Sequence, residues 1–226
     1  MKPLLVLAAF PVVLMGWASC SHSGTGHAAL PDPRAVDKSV PEYKNPFHPS
    51  TYAHFVARKD YRKTYDVYKD DTLLNRQPKK SRKIFVCLDE QRGQYLVDGL
   101  VAMDFPLSSG VKAYPTKTGD YAVISKKEDH TSNLYGKMYD AEGKCINYNA
   151  ESTDPIPEGG RFDGSPMPYW QRLTNAGLGL HVGKVRRHPV SHGCVRLPRN
   201  VAEILYRQTS IGTPVTIQKT PLPVPE

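Results

Sequence analysis

The run HPVSHGCVRLP, His188-Pro-Val-Ser-His-Gly-Cys-Val-Arg-Leu-Pro198, gathers two imidazoles, a thiol and a guanidinium into one short segment. Its cysteine admits four readings: nucleophile, half of a disulfide, metal ligand, or buried small residue. Gly193 and Pro198 bracket a turn, which keeps Cys194 out of the middle of a core strand. Backbone N–H groups of a Ser191-His192-Gly193-Cys194 turn can converge on one point, as an oxyanion hole requires. Arg186, Arg187, Arg196 and Arg199 surround the turn in sequence, and positive charge close to a thiol lowers its pKa. These features favour a nucleophile. Zinc is the weaker reading, because His188 and His192 share a face only on a helix, which Pro189 and Gly193 oppose. No metal site is expected.

Just upstream, Leu178-Gly-Leu-His-Val-Gly183 alternates, with Leu178, Leu180 and Val182 on one side and Gly179, His181 and Gly183 on the other. The apolar side reads as core, and the opposite side presents an imidazole between two glycines, with room for a ligand. Downstream, Pro198 is placed to open a helix whose apolar residues Val201, Ile204 and Leu205 keep helical spacing. Thr213-Pro-Val-Thr-Ile217 reads as a closing strand, before a Pro-rich tail over 220–226.

The rest of this region has the texture of a sheet. Ile84-Phe-Val-Cys-Leu88 is a continuous apolar run, and Asp98-Gly99 between Gln94–Val97 and Leu100–Met103 is a strong hairpin signal. Tyr121-Ala-Val-Ile124 is strand-like. Residues 126–168 are polar with scattered Gly and Pro, and read as a long functional loop or lid. A mainly β domain with one late helix is expected over 81–219.

Ahead of it, 21–80 reads as linker: Ser21–Pro49 is a tether rich in Ser, Gly, His and Pro. Between Ser50 and Asn75 the aromatic residues have loosely helical spacing, with Ser50 or Thr51 as a cap. The basic run Gln77–Lys83 reads as solvated. Residues 1–20 have the pattern of an export signal: Lys2, an apolar run over Leu4–Met15, then Ala18-Ser19-Cys20. Two fates compete there, lipidation at Cys20 or ordinary cleavage after a small residue, and Trp17 stands where lipoprotein signals usually carry an aliphatic residue. Either fate places the protein outside the cytoplasm, in the periplasm or cell envelope.

In that compartment four cysteines among 226 residues are too few for a disulfide scaffold. Cys87 and Cys145 can pair, though nothing in the sequence requires it, and if Cys20 is lipidated or removed Cys194 becomes the odd thiol. A formal charge of +8 suits polyanionic or carboxylate-rich partners. Nucleic acid is disfavoured, since no zinc-finger, RNP or helix-turn-helix pattern is present.

Ser191-His-Gly-Cys-Val-Arg-Leu197 resembles the signature of the L,D-transpeptidase catalytic domain, the YkuD type. The likeness extends to Ser108-Ser-Gly110, Pro115-Thr-Lys-Thr-Gly-Asp-Tyr121, Asn133-Leu-Tyr-Gly136, Met167-Pro-Tyr-Trp170 and Gly179-Leu-His181, about residues 83–218. Lys117 departs from the family's usual Pro and Arg196 from a common Asn, and the span from His181 to Ser191 is shorter than in many members.

The resemblance implies a β-sandwich or barrel-like domain with a helix after the catalytic turn. It implies Cys194 as nucleophile and His181 as proton donor and acceptor, with Ser191, His192 and Gly193 shaping the turn and oxyanion hole. Arg196, Tyr169 and Trp170 are the candidate substrate-binding residues. The implied reaction is thioester formation at the third residue of a peptidoglycan stem tetrapeptide, with release of D-alanine. Transfer to an amine follows, either of a second stem or of an envelope-protein lysine, and no cofactor is needed. An L,D-carboxypeptidase on the same fold and a non-catalytic wall-binding lipoprotein are the alternatives.

Overall fold

The computed structural model describes residues 31–76 and 81–221. The expected signal over 1–20, Cys20, the start of the tether, part of the basic run and most of the 220–226 tail lie outside the described residues.

Three sheets make up the described chain. The largest uses β1 (Tyr68–Lys69), β2 (Arg82–Cys87), β3 (Arg92–Val97), β4 (Leu100–Pro106), β5 (Gly119–Ala122) and β13 (Pro214–Gln218), in the order β1-β4-β3-β2-β13-β5. The Asp98-Gly99 signal makes its hairpin: both residues take positive φ, 51° and 82°, and Val97 pairs with Leu100 across the turn. β2 lies between β3 and parallel β13, and Ile84, Phe85, Val86 and Cys87 are all buried. A strand covered on both faces has no need to alternate, which explains its unbroken apolar run.

The second sheet holds β6 (Ser125–Lys127), β10 (Trp170–Arg172), β11 (Gly179–Val182) and β12 (Val195–Leu197), ordered β12-β11-β10-β6. Leu180, Val195 and Leu197 from this sheet share one core cluster with Ile84, Val86, Tyr95, Met103 and Phe105 from the first. Helix α3 (Arg199–Gln208) begins at Pro198 as expected and adds Val201, Ala202 and Leu205 to that cluster. The protein is therefore mainly β with a late helix.

The third sheet corrects an expectation. Instead of a loop, the polar stretch forms β7 (Thr131–Tyr139), β8 (Cys145–Glu151) and β9 (Arg161–Pro166), ordered β8-β7-β9. Most of its side chains are exposed, Met138 and Ala150 being among the few buried. Backbone pairing holds it, so its sequence carries little of the apolar alternation that marks a half-buried strand.

The segment before the catalytic region is likewise no simple linker over its described part. Helix α1 (Tyr52–Ala57) is capped by Thr51, whose Oγ1 accepts from the His54 N–H at 3.2 Å. Asp70 caps the short α2 (Asp71–Leu74), and β1 pairs antiparallel with β4. Phe55, Val56, Tyr61, Leu73 and Leu74 are all buried. Side chains of this kind contribute about 1.5–3 kcal/mol each when fully buried, more than a tether could hold. The spacing was hard to read as structure because the helices are short, 6 and 4 residues.

Candidate active site

His181 occupies the middle of β11, and Cys194 sits in the bend that enters β12. These two strands are parallel neighbours, with Leu180 opposite Val195 and His181 opposite Arg196. The pairing brings the imidazole and the thiol to the same wall of a cleft of about 730 Å³, which both residues line.

The His181 ring is 6% exposed, and its Nδ1 lies 2.7 Å from the Val182 carbonyl oxygen. A carbonyl only accepts, so Nδ1 carries the proton and Nε2 is left as the basic atom. Burial pushes the His181 pKa down to about 4, and the positive charge of Arg196 adds to the shift, while the bond to Val182 opposes it.

The Cys194 thiol donates to the Gly177 carbonyl at 3.3 Å. Burial pushes its pKa up, opposed by the Gly179 N–H and by the charges of Arg196 and Arg172. Of the four arginines expected to acidify the thiol, Arg196 acts in that direction, but burial outweighs it. Arg187 donates to backbone carbonyls away from the cleft, and Arg199 lies over the Tyr169 ring at 5.9 Å. The Arg186 N–H is held by the Ser108 hydroxyl. Of the four, Arg196 alone lines the cleft.

The turn is fixed by its own side chains and by a splint. Ser191 Oγ donates to the Cys194 carbonyl at 2.5 Å and accepts from the Gly193 N–H at 3.2 Å. Gly193 takes φ +110°, a conformation that a side chain would strain. Segment Ser108-Ser109-Gly110 runs alongside: Ser108 and Arg196 exchange backbone bonds, and Ser109 O accepts from the N–H groups of Val190 and Ser191. Thr116 completes the clamp, its Oγ1 donating to Gly193 O at 2.6 Å and accepting from the Gly110 N–H at 2.8 Å.

The remaining candidates divide. His192 is exposed at the cleft and stacks on Tyr135, with ring centroids 4.4 Å apart and 15° between planes. Arg196 is half-buried in the cleft wall, and among the described residues its guanidinium has no acidic partner. Trp170 lines the cleft 5.9 Å from the His181 ring. Tyr169 does not: it packs on Tyr206 of α3 at 5.6 Å, because adjacent residues at a strand entrance point to opposite sides. Its expected place in the cleft is corrected accordingly.

Tyr135, Arg172 and Thr116 also form the site, and sequence reasoning gave them no role. Arg172 lies on β10, outside every quoted motif, whereas Tyr135 and Thr116 stood inside the family-like stretches Asn133–Gly136 and Pro115–Tyr121. Lys117, Arg172, Lys184 and Arg196 line the cleft, and among the described residues no Asp or Glu does.

Cys87, Cys145 and Cys194 are all free thiols, so the Cys87–Cys145 pairing is not made. Cys87 lies buried in the first sheet and donates to the Lys219 carbonyl, while Cys145 opens β8 of the third sheet. Among the described residues, no three His, Cys, Asp or Glu side chains gather as metal ligands would.

Probable L,D-transpeptidase 3 of Mycobacterium tuberculosis is 31% identical over 121 residues, which cover 50% of this chain and 38% of that protein. The chain thus spans well under half the length of this curated relative. An L,D-transpeptidase from Mycobacterium smegmatis superposes with a TM-score of 0.46 at 22% identity, covering 61% of this chain and 58% of that one. An L,D-transpeptidase from Stackebrandtia nassauensis gives a TM-score of 0.46 at 22% identity, over 74% and 65% of the two chains. The family model for the L,D-transpeptidase catalytic domain, YkuD, matches residues 81–217, and the chain belongs to that family.

Proposed function

We propose that this protein is an exported peptidoglycan L,D-transpeptidase working through Cys194 and His181. The observation that carries the reading is the shared cleft: adjacent parallel strands present a thiol and an imidazole whose Nδ1 is already committed to Val182 O.

In the first half-reaction, His181 Nε2 takes the Cys194 proton as sulfur attacks the carbonyl carbon of the third stem residue. Ser191 and Gly193 spend their N–H groups inside the protein, which leaves those of His192 and Cys194 to meet the developing oxyanion. The C–N bond breaks, the imidazolium returns its proton to the departing D-alanine amine, and a thioester remains. In the second half, His181 deprotonates an incoming amine, which attacks the thioester and releases the sulfur. The acceptor is the amine of a second stem or a lysine of an envelope protein.

Arg196 is suited to a stem carboxylate, because a half-buried guanidinium without an acidic partner gains a bidentate mate on binding. Trp170 and the stacked His192–Tyr135 pair wall the acyl-donor groove. The catalytic domain occupies 81–219, behind a signal over 1–20, with lipid anchoring at Cys20 as one processing outcome.

Purified muropeptides incubated with the enzyme and resolved by mass spectrometry test the activity. Amine-dependent dimers or D-amino-acid exchange products are expected, and Cys194→Ala abolishes them. Tripeptides that form at the same rate with and without added amine would make the enzyme an L,D-carboxypeptidase. Products that persist in Cys194→Ala would refute the mechanism.

A further inference from the structure

The loop from Gly183 to Val190 joins the strand of His181 to the turn of Cys194, and Arg187 stands in it with φ +57°. A non-glycine residue in left-handed backbone has to be held there by its surroundings. The Arg187 guanidinium supplies the hold. Nη1 donates to the Thr64 carbonyl at 2.6 Å and the Tyr61 carbonyl at 3.4 Å, and Nη2 donates to the Glu90 carbonyl at 2.8 Å. Its acceptors are backbone atoms, so the contact reads the position of the segment and not the identity of its side chains.

That segment is itself firmly seated. Asp104, fully buried, accepts from the Tyr52 hydroxyl at 2.6 Å, the Tyr61 hydroxyl at 2.8 Å and Arg92 Nε at 2.5 Å. Arg92 uses its other nitrogens on the carbonyls of Thr64 and Asp66, at 3.2 and 3.1 Å. Thr64 O thus receives one guanidinium from the sheet and another from the active-site loop.

The residue after Glu90 continues the connection from the other side. Gln91 Nε2 donates to Ser109 Oγ at 2.8 Å, and Gln91 Oε1 accepts the Ser109 N–H at 2.9 Å. Ser109 O in turn holds the N–H groups of Val190 and Ser191, at 2.8 and 3.0 Å. The loop that ends at Cys194 is therefore pinned at Arg187 to the N-terminal segment, and at Val190–Ser191 to the sheet.

We propose that the docked N-terminal segment, residues 52–66, is a brace for the catalytic turn, and that Arg187 is the positioning residue through which it keeps Cys194 aligned with His181. Arg187 does not line the cleft, so it acts through the loop and touches no substrate. The inference rests on the reading of Cys194 as nucleophile.

The test compares full-length wild-type protein with Arg187→Ala and Arg187→Lys, well below the melting temperature of each. Acylation of Cys194 by a carbapenem is timed by intact mass, and alkylation of the same cysteine by iodoacetamide is followed by peptide mapping. Misplacement of a reacting group by about 1 Å costs on the order of 100-fold, so Arg187→Ala is expected to slow acylation by about 10- to 100-fold. Alkylation, which needs neither oxyanion hole nor proton return, is expected to change less than about threefold by the same reasoning. Arg187→Lys keeps the charge but cannot span Thr64 and Glu90 with one ammonium, so an intermediate loss is expected, and it keeps the test open where Arg187→Ala fails to fold. Variants that melt at lower temperature yet acylate at the wild-type rate overturn the brace alone. A wild-type protein that takes no adduct at Cys194 overturns both the site reading and this inference.

Discussion

At rest, the thiol of Cys194 and the imidazole of His181 both sit in surroundings that oppose charge. Burial holds the His181 pKa near 4 and raises that of Cys194, so the neutral pair is the ground state at neutral pH. This differs from a preformed thiolate–imidazolium pair, and it sets a pH prediction. The acid limb of kcat/KM is expected close to pH 4 rather than at the ordinary histidine value, and iodoacetamide alkylation of Cys194 rises only toward alkaline pH. An acid limb near 6.5 would contradict it. Stability follows the same group. Between pH 6.5 and about 4 the unfolded chain binds a proton at His181 that the folded chain refuses, so this contribution is present above 6.5 and lost as pH falls through that window. A His181→Asn variant is expected to show a shallower fall of melting temperature over that range than wild type. The cysteine and histidine proposed as nucleophile and base could be singled out because the turn and the alternating strand lie close in sequence. Their electrostatics were not legible, since the arginines that matter, Arg196 and Arg172, could be separated from Arg186, Arg187 and Arg199 only by knowing where each strand runs.

The elements divide along a similar line. β2, the β3–β4 hairpin, β11, α3 and β13 were legible because each carries a strong local code: a buried run, a turn dipeptide, a period or a proline start. β7, β8 and β9 were not, because their stability comes from backbone pairing across an exposed surface. That sheet contributes Tyr135 to the lining of the cleft. The clamp at Thr116 allows a direct test at this scale. Thr116→Val preserves shape but removes the bonds to Gly193 O and the Gly110 N–H, leaving polar backbone groups unpaired. A loss of about 1–3 kcal/mol is expected from denaturant unfolding, with slower acylation. Unchanged stability would mean that the splint at Ser108–Gly110 holds the turn alone. On α3, Leu205→Ala opens the core beneath β11 and is expected to cost about 2–5 kcal/mol, measured in the same way.

Over the whole molecule, the strands of His181 and Arg196 share one core with a large sheet, and an N-terminal segment that the sequence presented as linker is hydrogen-bonded to Arg92 and Asp104 of that same sheet. The segment's aromatic residues were visible, but their partners were not: Tyr52 and Tyr61 converge on Asp104, a carboxylate on a distant strand. A charged pair such as Arg92–Asp104, shut away from solvent, is costly to break on one side only. Asp104→Ala is therefore expected to destabilise the protein by about 3–5 kcal/mol and to expose the 52–66 segment to proteases before the rest unfolds. Simultaneous cleavage throughout the chain would argue against a separately docked segment. The cleft is lined by Lys117, Arg172, Lys184 and Arg196 and, among the described residues, by no acid, which fits the carboxylate-bearing stem proposed as donor. The most direct test of the central claim is the intact mass of the protein after incubation with a carbapenem. Wild type is expected to gain one carbapenem mass, mapped to Cys194, with the gain absent from Cys194→Ala and much slower in His181→Ala. A wild type that gains nothing, or a Cys194→Ala variant that gains the same mass at the same rate, would contradict it.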